Sequence, residues 1–131
     1  MILPVTDDRE TGPFFAAARE GRLAYAACEH CERGSHPPTP FCSYCGEPRT
    51  AWRDASGKGT LHSFTTVSHQ VHPDYPVPYT LVLVSLDDNP DVQLVGRIDG
   101  DAGLRVGQPM EIWFDRIADD VVLPQWRPAA A

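Results

Sequence analysis

The four cysteines of the chain fall in two Cys-x-x-Cys pairs, Cys28-Glu-His-Cys31 and Cys42-Ser-Tyr-Cys45. A short loop of this kind offers two sulfurs to one ion, and two such loops complete a tetrahedron of Zn–S bonds about 2.3 Å long. The spacer of ten residues, Glu32 to Phe41, contains Gly34, Pro37, Pro38 and Pro40. It reads as a loop long enough to return the second pair beside the first. Gly46 follows the second pair, where a residue free to take positive φ lets backbone N–H groups turn toward the sulfurs. His30 and His36 lie in the same stretch, but four thiolates leave them as bystanders. A closed set of four sulfurs has no open position for water, so the ion is expected to hold the fold and not to do chemistry.

The chain shows no convincing catalytic centre of its own. Two disulfides would use the same cysteines, but the opening Met1-Ile-Leu-Pro-Val is too short for the apolar core of a secretory signal. A redox dithiol needs one pair and not two. The stretch 22–55 is therefore read as a rubredoxin-like ribbon built on Cys28, Cys31, Cys42 and Cys45, with zinc preferred over iron, which spacing alone does not separate. His62 and Ser63 are neighbours on an expected strand, so they point to opposite faces and cannot act directly as a nucleophile–base pair. His69, His72 and Asp74 read as exposed loop residues. The segment Asp99-Gly-Asp-Ala-Gly103 begins like a calcium loop, yet Met110 stands where a bidentate Glu is needed. No glycine-rich phosphate loop is present.

The elements around the cysteines are short. At 131 residues with 13 prolines and 10 glycines, the chain suits many turns and short strands. Its scaling still allows about two-thirds of the unfolded surface to be buried. Pro13 to Glu20, closed by Gly21, reads as a helix with Phe14, Ala17 and Ala18 on one face and Phe15 to the side. Eight residues do not make a stable helix alone, so it must dock. Arg22–Ala27 leads into the first cysteine pair, and Arg49–Ala55 leads out of the second.

From residue 56 onward the pattern is all β. Thr60–Val71 reads as a long bent strand and Tyr79–Leu86 as a central strand buried on both faces. Val92–Ile98 follows, with Gly96 marking a bulge or the close approach of a ligand. Met110–Ile117 and Val121–Trp126 read as a closing hairpin. Five strands with a long bent first one and a long third connection, here a loop without the usual helix, fit a five-stranded OB-fold barrel. The expected organisation is thus mainly β: an N-terminal segment with a short helix (1–21), the ribbon (22–55) and the OB-fold (56–131).

Charge narrows the partners. The formal net charge is −7 and Lys58 is the single lysine. Four thiolates around a divalent ion carry the total to about −9. Nucleic-acid binders draw most of their affinity from cations facing phosphate. A nucleic-acid-binding ribbon and barrel is therefore the alternative reading, and charge speaks against it. The absence of any apolar run near the ~20 residues of a membrane span leaves a cytoplasmic protein as the expectation. Phe64, Tyr75, Tyr79, Trp113, Phe114 and Trp126 fall on the expected barrel or its proline-rich loop, mostly as core, and an uncharged barrel face favours an uncharged, elongated ligand.

The order of these pieces carries a resemblance. The short helix with Gly21-Arg22-Leu23, the two cysteine pairs around Pro37-Pro38, Trp52, Gly57-Lys58-Gly59-Thr60, Phe64-Thr65, Pro78-Tyr79 and Val106-Gly107-Gln108-Pro109 are similar to the zinc-ribbon plus OB-fold family associated with acyl-CoA. The likeness spans about residues 13–127. Glu32 and Ser43 depart from it, standing where many relatives have Gly and Pro.

Members of that family partner thiolase-like proteins; relatives include the small subunits of steroid side-chain aldolases. The resemblance implies structural zinc on Cys28, Cys31, Cys42 and Cys45. It implies pantetheine contacts at Phe64, Thr65, Pro78 and Tyr79, and Gly96 and Arg97 are added as candidate contacts. The expected function is a non-catalytic accessory subunit in lipid or steroid metabolism. It would bind a thiolase-like or lipid-transfer-protein-like partner in a hetero-oligomer, and help bind or channel an acyl-CoA thioester during C–C bond cleavage or formation. Lys58, Arg97 and Arg105 are the cations available to the CoA phosphates. No nucleic acid and no membrane are expected as partners.

Overall fold

The computed structural model describes residues 2–49 and 51–130; the expectations that touch Met1, Thr50 and Ala131 lie outside the described residues. Helix α1 (Gly12–Arg19) opens with proline in its first turn and buries Phe14, Ala17 and Ala18. It closes where Gly21 takes φ +76° and Arg22 N–H donates to the Ala17 carbonyl at 2.9 Å. A left-handed residue of this kind satisfies the last helical carbonyls, and glycine takes that conformation without strain.

Three strands form the ribbon sheet in the order β2–β1–β3: β1 Leu23–Ala27, β2 Gly34–Ser35 and β3 Ala51–Ala55. All five residues of β1 are buried. Leu23, Tyr25 and Ala27 join one core with Phe14 of the helix and with barrel residues such as Leu61, Val84 and Trp126. The spacer, read as loop throughout, contributes β2, which pairs Ala26 with Ser35 and Ala27 with Gly34.

The second sheet has five antiparallel strands in the order β6–β5–β4–β7–β8: β4 Lys58–Val67, β5 Tyr79–Leu86, β6 Gln93–Asp99, β7 Pro109–Ala118 and β8 Val121–Pro128. The first strand of the set pairs with both the second and the fourth, which is the OB arrangement. Its bend is visible in the pairing. Lys58 to Thr60 pair with β7, while Gly59 to Leu61 and Ser63 to Val67 pair with β5 across a register shift between Leu61 and Ser63.

The barrel is closed between β6 and β8 by side chains. The Gln125 Oε1 accepts from the Arg97 N–H at 2.8 Å, and the Trp126 Nε1–H donates to the Leu94 carbonyl at 3.1 Å. Trp126 is wholly buried. Gly96 makes room for this closure, since a Cβ there would lie 3.0 Å from Trp126 Cδ1 and 3.2 Å from its backbone nitrogen.

Several boundaries and faces differ from the expectations. Strand β4 ends at Val67 and not at Val71, because its partner β5 begins at Tyr79, opposite Val67. Strand β5 is not buried on both faces. Thr80, Val82, Val84 and Leu86 are buried, while Tyr79, Leu81, Leu83 and Ser85 are half-exposed. The period of two shows one face on the core and one facing outward. The neighbour that Gly96 admits is β8.

Candidate metal centre and barrel face

The two cysteine loops are built alike. In the first, Cys28 N–H donates to the Arg33 carbonyl at 3.0 Å and Glu32 N–H to the Cys28 carbonyl at 2.7 Å. In the second, Cys42 N–H donates to the Glu47 carbonyl at 2.8 Å and Gly46 N–H to the Cys42 carbonyl at 2.9 Å. The matching bonds require the matching residue, Glu32 or Gly46, to turn left-handed, at φ 62° and 79°. Glycine does this freely; glutamate carries strain of about 1 kcal/mol. The departure at Glu32 is thus absorbed without altering the loop.

The two loops bring all four sulfurs within 4.8 Å of one another. Cys28 and Cys45 Sγ are 3.6 Å apart, as are Cys31 and Cys42 Sγ. A tetrahedron with bonds of about 2.3 Å has edges near 3.8 Å, so the set fits one zinc ion. Desolvation opposes ionisation of Cys42, yet the N–H groups of Cys45 and Tyr44 hold its thiol down to about 6. The Glu47 N–H favours the Cys45 thiolate, but desolvation and the crowding sulfurs push that thiol up to about 12. Four thiolates so close cannot ionise together without a cation among them. His30 is exposed. His36 packs against the Phe14 ring, with centroids 5.0 Å apart, and burial lowers its proton affinity. Among the described residues, this is the one cluster of His, Cys, Asp or Glu placed to hold a metal.

Arg33 ties the ribbon to the barrel. Its guanidinium lies 3.7 Å from the centre of the Tyr44 ring and grips Asp91 with Nε and Nη2 at 3.0 and 3.1 Å. Gly34 sits so close beneath Val92 and Asn89 that a Cβ would be 2.6 and 2.9 Å from their side chains.

The expected barrel contacts lie on or beside β4, β5 and β6. Thr65, Leu81 and Arg97 form one cross-strand row, and Phe64, Val82 and Gly96 the next. Phe64 remains 39% exposed because β4 has lost β7 as a neighbour beyond Thr60. Pro78 precedes β5, and Tyr79 opposes Asp99. The Arg97 guanidinium lies 5.4 Å from the Tyr75 ring centre and 5.8 Å from that of Tyr79, and its Nη1 is 3.4 Å from Asp99. Lys58 is instead beside β7, opposite Glu111.

Sequence reading missed the outward half of β5. Leu81 and Val95 join Phe15, Leu123 and Pro124 around a hollow of about 260 Å³. The same two residues continue into a second hollow of about 310 Å³ with Phe64 and Leu83. The result is one largely uncharged, apolar surface. Among the described residues, no helix is long and apolar enough to cross a membrane.

A barrel of OB topology stapled to a four-cysteine ribbon defines the class, and the comparisons with known proteins agree. Residues 15–51 match the family described as ChsH2, rubredoxin-like zinc ribbon domain, and residues 52–115 match ChsH2, C-terminal OB-fold domain. The chain belongs to this ChsH2 family of zinc-ribbon plus OB-fold proteins.

It is similar to a chain of the solved Ltp2-ChsH2(DUF35) aldolase, with a TM-score of 0.84 and 29% identity over 97% of this chain and 100% of that one. It is also 31% identical over 124 residues to a probable enoyl-CoA hydratase alpha subunit of Thermomonospora curvata. That match takes in 93% of this chain but only 38% of the relative's length. A DUF35-family protein of unknown function from Sulfolobus solfataricus shares the fold, with a TM-score of 0.63 at 16% identity over 79% of this chain and 77% of that one.

Proposed function

We propose that the chain is a non-catalytic accessory subunit that docks on a thiolase-like partner and helps shelter an acyl-CoA thioester while the partner makes or breaks a C–C bond. The observation that carries this reading is the likeness, along 97% of the chain, to a chain of the Ltp2-ChsH2(DUF35) aldolase. The site supports it in two ways. The four sulfurs form a closed set suited to a structural zinc, which leaves no coordination position for a reacting water. The face bearing Leu81, Leu83 and Val95 is apolar and half-exposed in a chain of net charge −7, and apolar patches of this kind mark interaction surfaces. In this reading Phe64, Thr65, Pro78, Tyr79, Gly96 and Arg97 lie along the path of the pantetheine arm, with Arg97 placed for a phosphate. The scarcity of cations disfavours a nucleic-acid role.

The test is co-purification of the zinc-loaded chain with a thiolase-like protein encoded beside it. Val95→Asp, at a position 56% exposed, is expected to leave the melting temperature within about 2 °C and to abolish the complex. A chain that stays monomeric beside such a protein, with tryptophan fluorescence unmoved by acyl-CoA, refutes the proposal.

A further inference from the structure

The ribbon holds a second polar feature, away from the sulfurs. Arg49 is only 8% exposed, and its Nη1 donates to the Arg33 carbonyl at 3.1 Å. Among the described residues, its Nε and Nη2 have no hydrogen-bond partner, and neither has the buried Ser35 hydroxyl. Among the described residues, no carboxylate lies within ion-pair distance of Arg49. The two idle donors are not an arbitrary pair. Nε–H and Nη2–H lie parallel on one edge of a guanidinium and match the two oxygens of a carboxylate. Arg33 uses that same edge on Asp91, at 3.0 and 3.1 Å. A buried cation with its fork unused is unfavourable unless an anion completes it.

A cleft adjoins Arg49, and an anion entering it reaches the fork by displacing the atoms that cover Nε and Nη2. Ser35, Ala26 and Trp52 are directly opposite one another across β2, β1 and β3, so their side chains share one face of the ribbon sheet. Ala26, Trp52 and Arg49 line a cleft of about 480 Å³, walled also by Phe41 and Pro40 and by the charged pair Arg9 and Glu10, whose carboxylate shares the cleft with the Arg49 cation. Phe41 is 60% exposed. A cleft of mixed character, with aromatic walls at Trp52 and Phe41 and a few convergent polar groups, is how small-ligand sites are commonly built. The geometry points to a binding site in the zinc ribbon for a carboxylate carried on an apolar stem, gripped by the Arg49 fork and packed against Trp52 and Phe41. The carboxylate is that of a free organic acid or of an acidic side chain on a bound polypeptide. The site is independent of the barrel face and of the partner proposed for it.

The experiment follows the Arg49 Nε–H resonance by NMR in the full, zinc-loaded chain. The probes are 3-phenylpropionate, its neutral analogue 3-phenylpropanol, and the peptide acetyl-Phe-Glu-Phe-amide. The resonance is expected to shift saturably with an acid and not with the alcohol. A shift with the free acid identifies a small-molecule site; a shift with the peptide alone identifies an acidic side chain as the ligand. Arg49→Lys keeps the charge but loses the fork, and is expected to weaken binding by about tenfold or more. The inference is overturned if neither acid moves the resonance, if the alcohol moves it equally, or if folded, zinc-loaded R49K binds as tightly. Should R49K fail to fold, the wild-type titration decides alone, since it reads the fork directly.

Discussion

Replacing Trp126 by phenylalanine tests how the barrel is shut. The indole is 0% exposed and reaches from β4 to β6: its Cη2 is 3.1 Å from the Cβ that Gly59 lacks, and its Cδ1 is 3.0 Å from the one that Gly96 lacks. Phe at this position removes the donor to the Leu94 carbonyl, a net loss of about 1 kcal/mol. It also leaves a void where the second ring stood, for about another 1–2 kcal/mol. The sum, about 2–3 kcal/mol, lowers the melting temperature by about 8–12 °C for a chain of this size.

The diagnostic measurement is a double-mutant cycle with Gly96→Ala, read by urea unfolding of zinc-loaded protein. Alone, the added methyl meets backbone and indole atoms that cannot all retreat, at about 1–3 kcal/mol. Beside the smaller phenyl ring it finds space. The double mutant is therefore expected to be more stable than the sum of the single losses, by about 1 kcal/mol. Strict additivity would show that the indole does not hold the seam.

Three further outcomes follow from the ribbon. Glu32→Gly relieves the left-handed strain at φ 62° and loses only an exposed ion pair to Arg53. It should gain about 0.5–1 kcal/mol in urea unfolding, and a loss of stability would contradict the strain argument. His36 is held neutral by burial, so its folded pKa lies below the unfolded value of about 6.5. The unfolded chain then binds more protons, and stability present above pH 6.5 declines as the pH falls toward the folded value. His36→Gln should accordingly lose less stability than wild type between pH 7.5 and 5.5, and equal slopes would dismiss the effect. Cys45→Ser removes the exposed ligand and should reduce zinc from about one ion per chain to a fraction, with amide protection in β1 and β3 falling first. Full zinc occupancy in that variant would overturn the ligand assignment.

How much of this was legible in sequence depends on the range of the interaction. The ligand set was, because Cys-x-x-Cys is local. So was the helix, where Pro13 and Gly21 mark the ends by backbone chemistry alone. Strand β5 was not: Leu81, Val82, Leu83 and Val84 are apolar at both parities, so no alternation tells which face meets the core. The end of β4 at Val67 is set by where β5 begins, a fact about another strand. Gly96 announced a close approach, but its neighbours, Gln125 and Trp126, arrive from the far end of the chain. Arg49 gave no signal at all, since nothing beside it in sequence reveals that tertiary packing will bury it.

Arg33 joins the cysteine loops to the barrel through both its backbone and its side chain. Its carbonyl receives Cys28 N–H and the Arg49 guanidinium, while its own guanidinium rests on Tyr44 and clasps Asp91 on the barrel side. Four parts of the molecule thus meet at a residue two places beyond a ligand. Emptying the ribbon of its ion frees that hub and leaves the two lobes joined by their shared apolar core alone. Metal occupancy at the sulfurs is thereby felt at Asp91, on the barrel side of the molecule.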